Sequence, residues 1–214
     1  MDLNFIQTIV IYALPVIFAI TLHEAAHGYV AKHFGDTTAY MLGRVSLNPI
    51  RHIDPIGTIV VPIVTLLLGG ILFGWAKPVP VNFGQLRRPK QDMLWVAIAG
   101  PAANLAMAIF WGLIIKLGTL MPETYYTLPL VRMGQAGVMI NVVLMVLNLL
   151  PLPPLDGGRV AVSLLPNSLA YRFSRIEPYG LIILVILFVT HILGQILWPV
   201  VNVTLNVLSF ILGF

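Results

Sequence analysis

The sequence contains no cysteine and few charged residues. The missing cysteine excludes disulfide bonds and thiolate metal ligands, so a metal ion would need histidine, aspartate or glutamate. Charged residues make up only 9% of the 214 residues, whereas hydrophobic residues make up 58% and the mean hydropathy is +0.93. This balance excludes an ordinary soluble globular domain and predicts an integral membrane protein.

A basic surface for nucleic acid is also missing. The formal charge is +4, but the twelve Lys and Arg residues are spread thinly between apolar runs, and no aromatic stacking platform accompanies them. We therefore interpret the basic residues as markers of membrane topology and expect the lipid bilayer, not nucleic acid, as a partner. Because internal repeats and long linkers are absent from the sequence, we expect a single domain over residues 1–214.

Long apolar runs are abundant and predict the fold class, an all-α polytopic membrane protein. We expect about five to six membrane segments, one of them re-entrant, and a short extended loop. The first run lacks a basic leading region and a cleavage site, so we expect a retained helix and not a signal peptide. We expect the tail after Pro199 to be too short to span the bilayer. The runs are Phe5 to Val30, Ile56 to Phe73, Met93 to Leu117, Gly134 to Leu150 and Tyr179 to Trp198, followed by the tail from Val200 to Phe214.

The basic residues favour a re-entrant second segment. If Ile56 to Phe73 crosses the bilayer, five basic residues fall on one side and seven on the other, which gives no bias. If the segment enters and leaves on the same face, ten of the twelve share that face. The positive-inside rule then places this face in the cytoplasm and the N-terminus outside. Pro62 and Gly69-Gly70 also interrupt a spanning helix, although a kinked spanning helix stays open as the alternative.

The stretch TLHEAAHGYVAKHFG, residues 21–35, brings ionisable residues into the first apolar run. On a helix, His23 and His27 lie four residues apart, so both imidazoles project from one face and can bind the same ion. Glu24 is rotated away from that face, where it can take a proton from a water molecule instead of binding the metal. Ionisable residues inside a membrane cost roughly 2.5 to 3.5 kcal/mol each, which favours a functional metal site over ordinary packed polar residues.

A catalytic zinc site usually has three protein ligands, so we expect a third elsewhere in the chain. His33 lies on a different helix face and His191 is expected near the opposite membrane face, so we interpret both as structural. Asp156 directly follows an apolar helix, and the re-entrant topology places it at the same membrane face as HEAAH; an ordinary Asp-Gly turn is its alternative. Asp36 is a further candidate, and so are His52 and Asp54, for which capping or loop order is the favoured role.

Three motifs together resemble the site-2 protease family of zinc intramembrane metalloproteases: HEAAH, GPAAN at residues 100–104 and NLLPLPPLDGGR at residues 148–159. GRVSLNPIRHIDPIGT and FGWAKPVPVN further resemble its small prokaryotic branch, without PDZ or CBS domain. The resemblance implies regulated intramembrane proteolysis: a protease with one Zn²⁺ per chain cuts single-span membrane proteins within or near their transmembrane segment. It also implies a prokaryotic cell membrane, with the active site toward the cytoplasm. The sequence makes no prediction of the oligomeric state.

The resemblance further implies a role for each matching residue. His23 and His27 match the helical zinc ligands, Glu24 matches the catalytic acid/base, and Asp156 matches the third zinc ligand.

Two asparagines are candidates for contact with the substrate or its transition state. Asn148 matches an asparagine that the family places near the active site, where an amide could donate to an oxyanion or hold the substrate; a buried structural amide is the alternative. Asn104 is a weaker candidate for such a role, and its alternative is helix packing.

Two functional alternatives remain at this level. The loop from Val79 to Phe83 has the alternation of a short edge element, so we hypothesise that it guides an extended substrate, with an ordinary surface loop as the alternative. The same ligands could instead serve a non-proteolytic membrane zinc-binding or zinc-transport protein. A carrier is disfavoured because the ionisable residues cluster near one face instead of crossing the membrane.

Overall fold

The computed structural model describes residues 5–60, 77–122 and 124–213, and within these ranges the regular structure is helical without a β-strand. The predicted all-α fold is therefore confirmed. Short 3-10 turns cover Pro49–His52 and Phe83–Gln85, and a π-helical segment covers Pro55–Val60. The described α-helices are α1 (Phe5–His33), α2 (Thr38–Met41), α3 (Pro89–Leu120), α4 (Thr127–Asn148), α5 (Asp156–Leu164), α6 (Asn167–Ser174), α7 (Glu177–Val189) and α8 (Ile192–Leu212).

Four of the described helices are long and apolar enough to cross a membrane. They are α1 from Val10 to His33, α3, α4 and α8, and the 13-residue α7 is a shorter apolar helix. The prediction of a multi-pass membrane protein is therefore confirmed. The segment expected to re-enter the membrane, Ile56 to Phe73, is described only as far as Val60, so its topology lies outside the described residues.

The last apolar run is divided differently from the prediction. Instead of one segment from Tyr179 to Trp198, the chain forms α7 and α8, which are separated at Thr190 and His191. His191 has a φ of 60°, a left-handed conformation that cannot continue a helix. Pro199 lies inside α8. Membrane helices tolerate proline where other groups satisfy the backbone carbonyl that loses its helical hydrogen bond. The segment after Pro199 is therefore part of a 21-residue candidate span, contrary to expectation.

Helices α3, α4 and α8 pack around a common group of buried side chains, which we call the apolar cluster. Gly134 lies at the contact, where an added Cβ would approach Ile115 Cγ1 to 2.6 Å, so the two helices come close together. The apolar cluster consists of Ala108, Trp111, Ile115, Val138, Val142, Val146, Val201 and Leu208.

The start of α5 is docked onto a proline-rich loop. Gly157 and Gly158 lie so close to the backbone of Leu149–Pro153 that a Cβ at either position would overlap it. Both positions of the LDGG sequence therefore require glycine for steric reasons. Their close approach seats the first turn of α5 and brings Asp156, its first residue, against α1.

Candidate metal centre

Three buried side chains from two helices converge on one point. His23 and His27 come from adjacent turns of α1, and their Nε2 atoms are 3.1 Å apart. Asp156 Oδ2 lies 3.2 Å from Nε2 of His23 and 3.3 Å from Nε2 of His27. Within the described part of the chain, this is the group of ionisable side chains whose ligand atoms could share a metal ion.

Both imidazoles are held at the nitrogen that faces away from this point. His27 Nδ1 lies 2.7 Å from the backbone oxygen of Val96, and His23 Nδ1 lies 2.6 Å from Asn104 Oδ1. A carbonyl oxygen can only accept a hydrogen bond, so Nδ1 of each ring carries a proton and donates it. In a neutral ring the lone pair is then on Nε2, which points at the carboxylate.

The orientation of the Asn104 amide agrees with this assignment. Asn104 Nδ2 donates to the backbone oxygen of Ala19 over 3.3 Å and to Asn141 Oδ1 over 3.0 Å. Its oxygen therefore faces His23. The Asn104 side chain is fully buried, and every polar atom it has is engaged with the protein.

The arrangement fits a metal cation, and its ligand set suits zinc. Two Nε2 lone pairs and one carboxylate oxygen repel one another at these distances unless positive charge lies between them. Asp156 Oδ2 is also buried without a hydrogen-bond partner among the described residues. Two imidazole nitrogens and one carboxylate oxygen form a ligand set typical of catalytic zinc sites, which keep a fourth position open.

Gly100 of α3 keeps space beside the imidazoles. A Cβ at this position would overlap Nε2 of His27 and approach Nε2 of His23 to 2.6 Å. The first glycine of GPAAN therefore has a steric function at the metal centre.

The pKa of Asp156 lies below its ordinary value. Burial alone would raise this pKa, but if both imidazoles instead carry a second proton at Nε2, their hydrogen bonds and positive charge outweigh the effect of burial. A metal cation in place of those protons would favour the carboxylate in the same direction. Positive charge at the convergence point, from protons or from a metal cation, therefore favours the ionised form of Asp156 that a ligand needs.

Glu24 lies next to the centre but is oriented by a different contact. Its half-buried side chain accepts a hydrogen bond at Oε2 from the backbone N–H of Val79 over 2.7 Å. Within the described residues Oε1 makes no hydrogen bond, so one oxygen is fixed and the other is available for proton transfer.

Val79 belongs to the segment Lys77–Asn82, which is neither helix nor strand and which we call the covering segment. Its first residue donates from the backbone N–H to the oxygen of His52 over 3.0 Å, and Asn82 N–H donates to Asp36 Oδ2 over 2.7 Å. The covering segment is therefore attached at both ends and in its middle, where it meets Glu24.

The remaining predicted candidates lie outside the convergence point. Asp36 and Asp54 accept hydrogen bonds from backbone N–H groups of their own loops. His52 is buried, and its Nε2 donates to the oxygen of Ser46 over 2.8 Å. His33 and His191 are exposed.

Asn148 is half-buried at the C-terminal end of α4, and its Nδ2 donates to the oxygen of Leu144 over 3.0 Å. This bond leads back into its own helix. The predicted role of Asn148 at the substrate stays a prediction.

Asn141 was not among the predicted site residues. It is fully buried, and it contacts the site through Asn104. A signal was present in the sequence, because Asn141 is one of three amide side chains in the run Gly134 to Leu150, with Gln135 and Asn148, and polar groups in membrane helices usually have a role. The Val96 carbonyl carried no signal, since every residue has one.

Comparison with known proteins identifies the family. The model of peptidase family M50 matches residues 124–193. The chain is 40% identical over 193 residues to "Putative zinc metalloprotease YwhC" of Bacillus subtilis, an alignment that covers 88% of this chain and 84% of that protein. The chain belongs to peptidase family M50. The predicted resemblance to the site-2 proteases is therefore confirmed.

More distant relatives of this M50 chain have similar names. It is 28% identical over 194 residues to "Putative zinc metalloprotease Rip2" of Mycolicibacterium smegmatis, over 90% of this chain and 72% of that protein. It is 30% identical over 181 residues to the protein of the same name from Mycobacterium tuberculosis, over 82% of this chain and 65% of that protein. No solved structure matches this M50 chain.

Proposed function

We propose that this M50 protein is a zinc-dependent intramembrane endopeptidase. The observation that carries the proposal is the convergence of His23 and His27 with the Asp156 carboxylate, beside Glu24. The two histidines and Glu24 lie on α1, a helix apolar enough to span a membrane. The names of its relatives, which describe zinc metalloproteases, support the same activity. The substrates would be single-span membrane proteins, cut within or near their transmembrane segment in regulated intramembrane proteolysis.

His23, His27 and Asp156 would hold one zinc ion per chain. When bound, zinc supplies Lewis-acid activation of a water molecule and of the scissile carbonyl. The protein's part is to keep both imidazoles in the form whose lone pair is on Nε2 and to keep the carboxylate ionised. The contacts of Asn104 and Val96 support the first of these tasks.

Glu24 would transfer the protons. Its free oxygen takes a proton from the attacking water and later gives a proton to the leaving amide nitrogen. The Val79 N–H holds the other oxygen, which keeps the carboxylate from swinging toward the imidazoles. Glu24 therefore acts as a base beside the metal centre and not as a fourth ligand.

The covering segment would receive an unwound substrate. A peptide bond in a membrane helix is already hydrogen-bonded, so the substrate must open locally before it can react. In the covering segment, Pro78 and Pro80 have no N–H, and the N–H groups of Lys77, Val79 and Asn82 bond within the protein. The N–H of Val81 makes no hydrogen bond within the described residues, so we propose that it pairs with the extended substrate.

The charge distribution supports an orientation for the protein in a prokaryotic cell membrane. We propose that the N-terminus is extracytoplasmic and that the metal centre lies toward the cytoplasm, the face where the re-entrant topology gathers ten basic residues. We also propose that residues 1–214 form one protease domain.

The activity test compares Glu24→Gln with wild type and with Glu177→Gln. Glu177 lies exposed at the start of α7 near Arg159, so its substitution is a matched control. Each protein is purified in detergent, its zinc content is measured, and it is incubated with a pool of single-span membrane proteins whose fragments are read by mass spectrometry. We expect Glu24→Gln to keep its zinc and to cut about 100- to 10,000-fold more slowly, and Glu177→Gln to cut like wild type.

Other outcomes would change the proposal. Equal cutting by wild type and Glu24→Gln would contradict the role of Glu24. Bound zinc without cutting by any of the proteins would instead favour a non-proteolytic zinc-binding or zinc-transport protein.

A further inference from the structure

A line of buried hydrogen bonds leads from the metal centre across three helices. His23 on α1 meets Asn104 on α3 over 2.6 Å, and Asn104 meets Asn141 on α4 over 3.0 Å. Asn141 Nδ2 then donates to the backbone oxygen of Gly137 over 2.8 Å. Asn104 and Asn141, which we call the amide pair, both have 0% exposure. The amide pair therefore has no surface in contact with water or lipid.

The carbonyl of Gly137 gives this line a direction. A carbonyl oxygen only accepts, so the NH₂ group of Asn141 must face Gly137 and the oxygen of Asn141 must face Asn104. The NH₂ group of Asn104 then faces Asn141, and its oxygen faces His23. Each amide thus sets the orientation of the next.

We propose that Asn141 is a positioning residue for His23: acting through Asn104, it selects the imidazole form that has its proton on Nδ1 and its lone pair on Nε2. The inference rests on the proposed function only in taking His23 Nε2 as a metal ligand. Without the oxygen of Asn141, the Asn104 amide gains the freedom to turn over and present its NH₂ group to His23. The proton of His23 would then move to Nε2, where it blocks metal binding.

The surroundings explain why two amides are placed there. Burying an unpaired amide costs free energy, and the adjacent apolar cluster has only hydrophobic side chains at its buried positions on α3 and α4. A fully paired and directional line can hold one proton position, which an apolar contact cannot. The oxygen of Ala19 also attracts the Asn104 NH₂ group, but over a longer distance of 3.3 Å. Asn141 therefore contributes part of the orientation.

The first test measures zinc affinity by competition with a chelator, using the full chain purified in detergent. Loss of an outer hydrogen-bond partner typically costs 10- to 100-fold in metal affinity, so we expect Asn141→Leu to lose about tenfold, the lower end of that range. Asn141→Ala, which removes the amide without adding bulk, is measured in parallel and should behave alike. Val138→Ala, a buried change in the apolar cluster on the same helix, should destabilise the protein without altering zinc affinity.

The second test asks whether Asn141 acts through Asn104. If it does, Asn104→Leu and the double variant Asn104→Leu/Asn141→Leu should show the same zinc affinity. Asn104→Leu already removes the amide through which Asn141 would act on His23. Losses that simply add would overturn the proposal, since they would show that Asn141 acts by another route.

The third test reads the proton position directly. In metal-free protein labelled with ¹⁵N-histidine, the signals of His23 are assigned by their loss in His23→Gln. We expect wild type to carry the proton on Nδ1, and Asn141→Leu to show a measurable fraction with the proton on Nε2. An unchanged ratio in Asn141→Leu would overturn the proposal even if the affinity fell. None of these measurements needs a substrate, so their result is separate from whether the protein is a protease.

Discussion

The surroundings of the metal centre and the apolar cluster share helices α3 and α4 but hold them against their neighbours by different means. On α3, Asn104 and Trp111 lie seven residues apart, about two turns along one face. Asn104 meets neighbouring helices through hydrogen bonds of fixed direction, whereas Trp111 packs against glycine and aliphatic side chains. The first contact depends on which atom faces which, and the second depends on volume. Substitutions in the two regions should therefore fail in different ways.

Removing a ligand should have the largest effect. Asp156→Asn keeps the shape of the side chain but loses its charge, so we expect zinc affinity to fall by more than about 100-fold, beyond the range for outer partners. The matched control is Asp92→Asn, because Asp92 is also buried but accepts a hydrogen bond from the Arg88 N–H at the start of α3. We expect this control to bind zinc normally. Equal affinities for both variants, measured by chelator competition, would contradict the assignment of Asp156.

Crowding the metal centre should have the next largest effect. Gly100→Ala places a methyl group against the imidazoles, so we expect about a tenfold loss of zinc affinity. Gly118→Ala on the same helix is the control, because its methyl group would meet Val131 Cγ2 at 2.7 Å, away from the site. Thermal unfolding should shift for both variants, while affinity changes for Gly100→Ala alone. A loss of affinity in Gly118→Ala would mean that packing strain, and not local space, controls the site.

The covering segment should affect cleavage without affecting zinc. Val81→Pro removes the N–H that makes no hydrogen bond within the described residues, and one hydrogen bond is worth about 0.5 to 1.5 kcal/mol, so cleavage should slow by about two- to tenfold. Val81→Ala shortens the side chain but retains the N–H and should cut faster than Val81→Pro. Cleavage by Val81→Pro at the wild-type rate, measured from fragment yields over time, would remove the covering segment from the substrate path.

A substitution in the apolar cluster should have the smallest effect on function. Val201→Ala removes two methyl groups from α8 and should lower the free energy of unfolding by on the order of 1 kcal/mol. Zinc affinity and cleavage rate of the folded protein should stay at the wild-type level. The measurement is a denaturant titration in detergent beside the zinc assay. A change in zinc affinity here would erase the distinction between the two regions.

The sequence predicted those parts of the molecule that depend on composition and short spacing. The apolar runs indicated the membrane helices, and the i, i+4 spacing indicated that His23 and His27 share a face, as they do in the structure. Asp156 was selected by topology and the charge distribution, and it lies at the same point as the two imidazoles. Their roles as zinc ligands stay predictions.

Other features depended on information that no short stretch contains. The helix break at His191 lies within an apolar run. A single left-handed residue ends a helix but hardly changes the hydrophobicity of the run, so composition did not indicate the break. The segment Gly157 to Pro178, which lies outside the apolar runs, forms most of α5, all of α6 and the start of α7. The contact of Asn104 with His23 joins residues 81 positions apart, so spacing could not indicate it. The sequence therefore provided little indication of which buried polar groups form hydrogen bonds with one another, and in which direction.

The two histidines differ in whether a backbone group or a side chain orients the ring. His27 is held by the backbone oxygen of Val96, which no exchange of side chain removes, whereas His23 depends on the identities of residues 104 and 141. Mutation at these outer positions can therefore tune only one of the two rings. A change of side chain at residue 104 or 141 would therefore alter the proton position of His23 and leave that of His27 as it is.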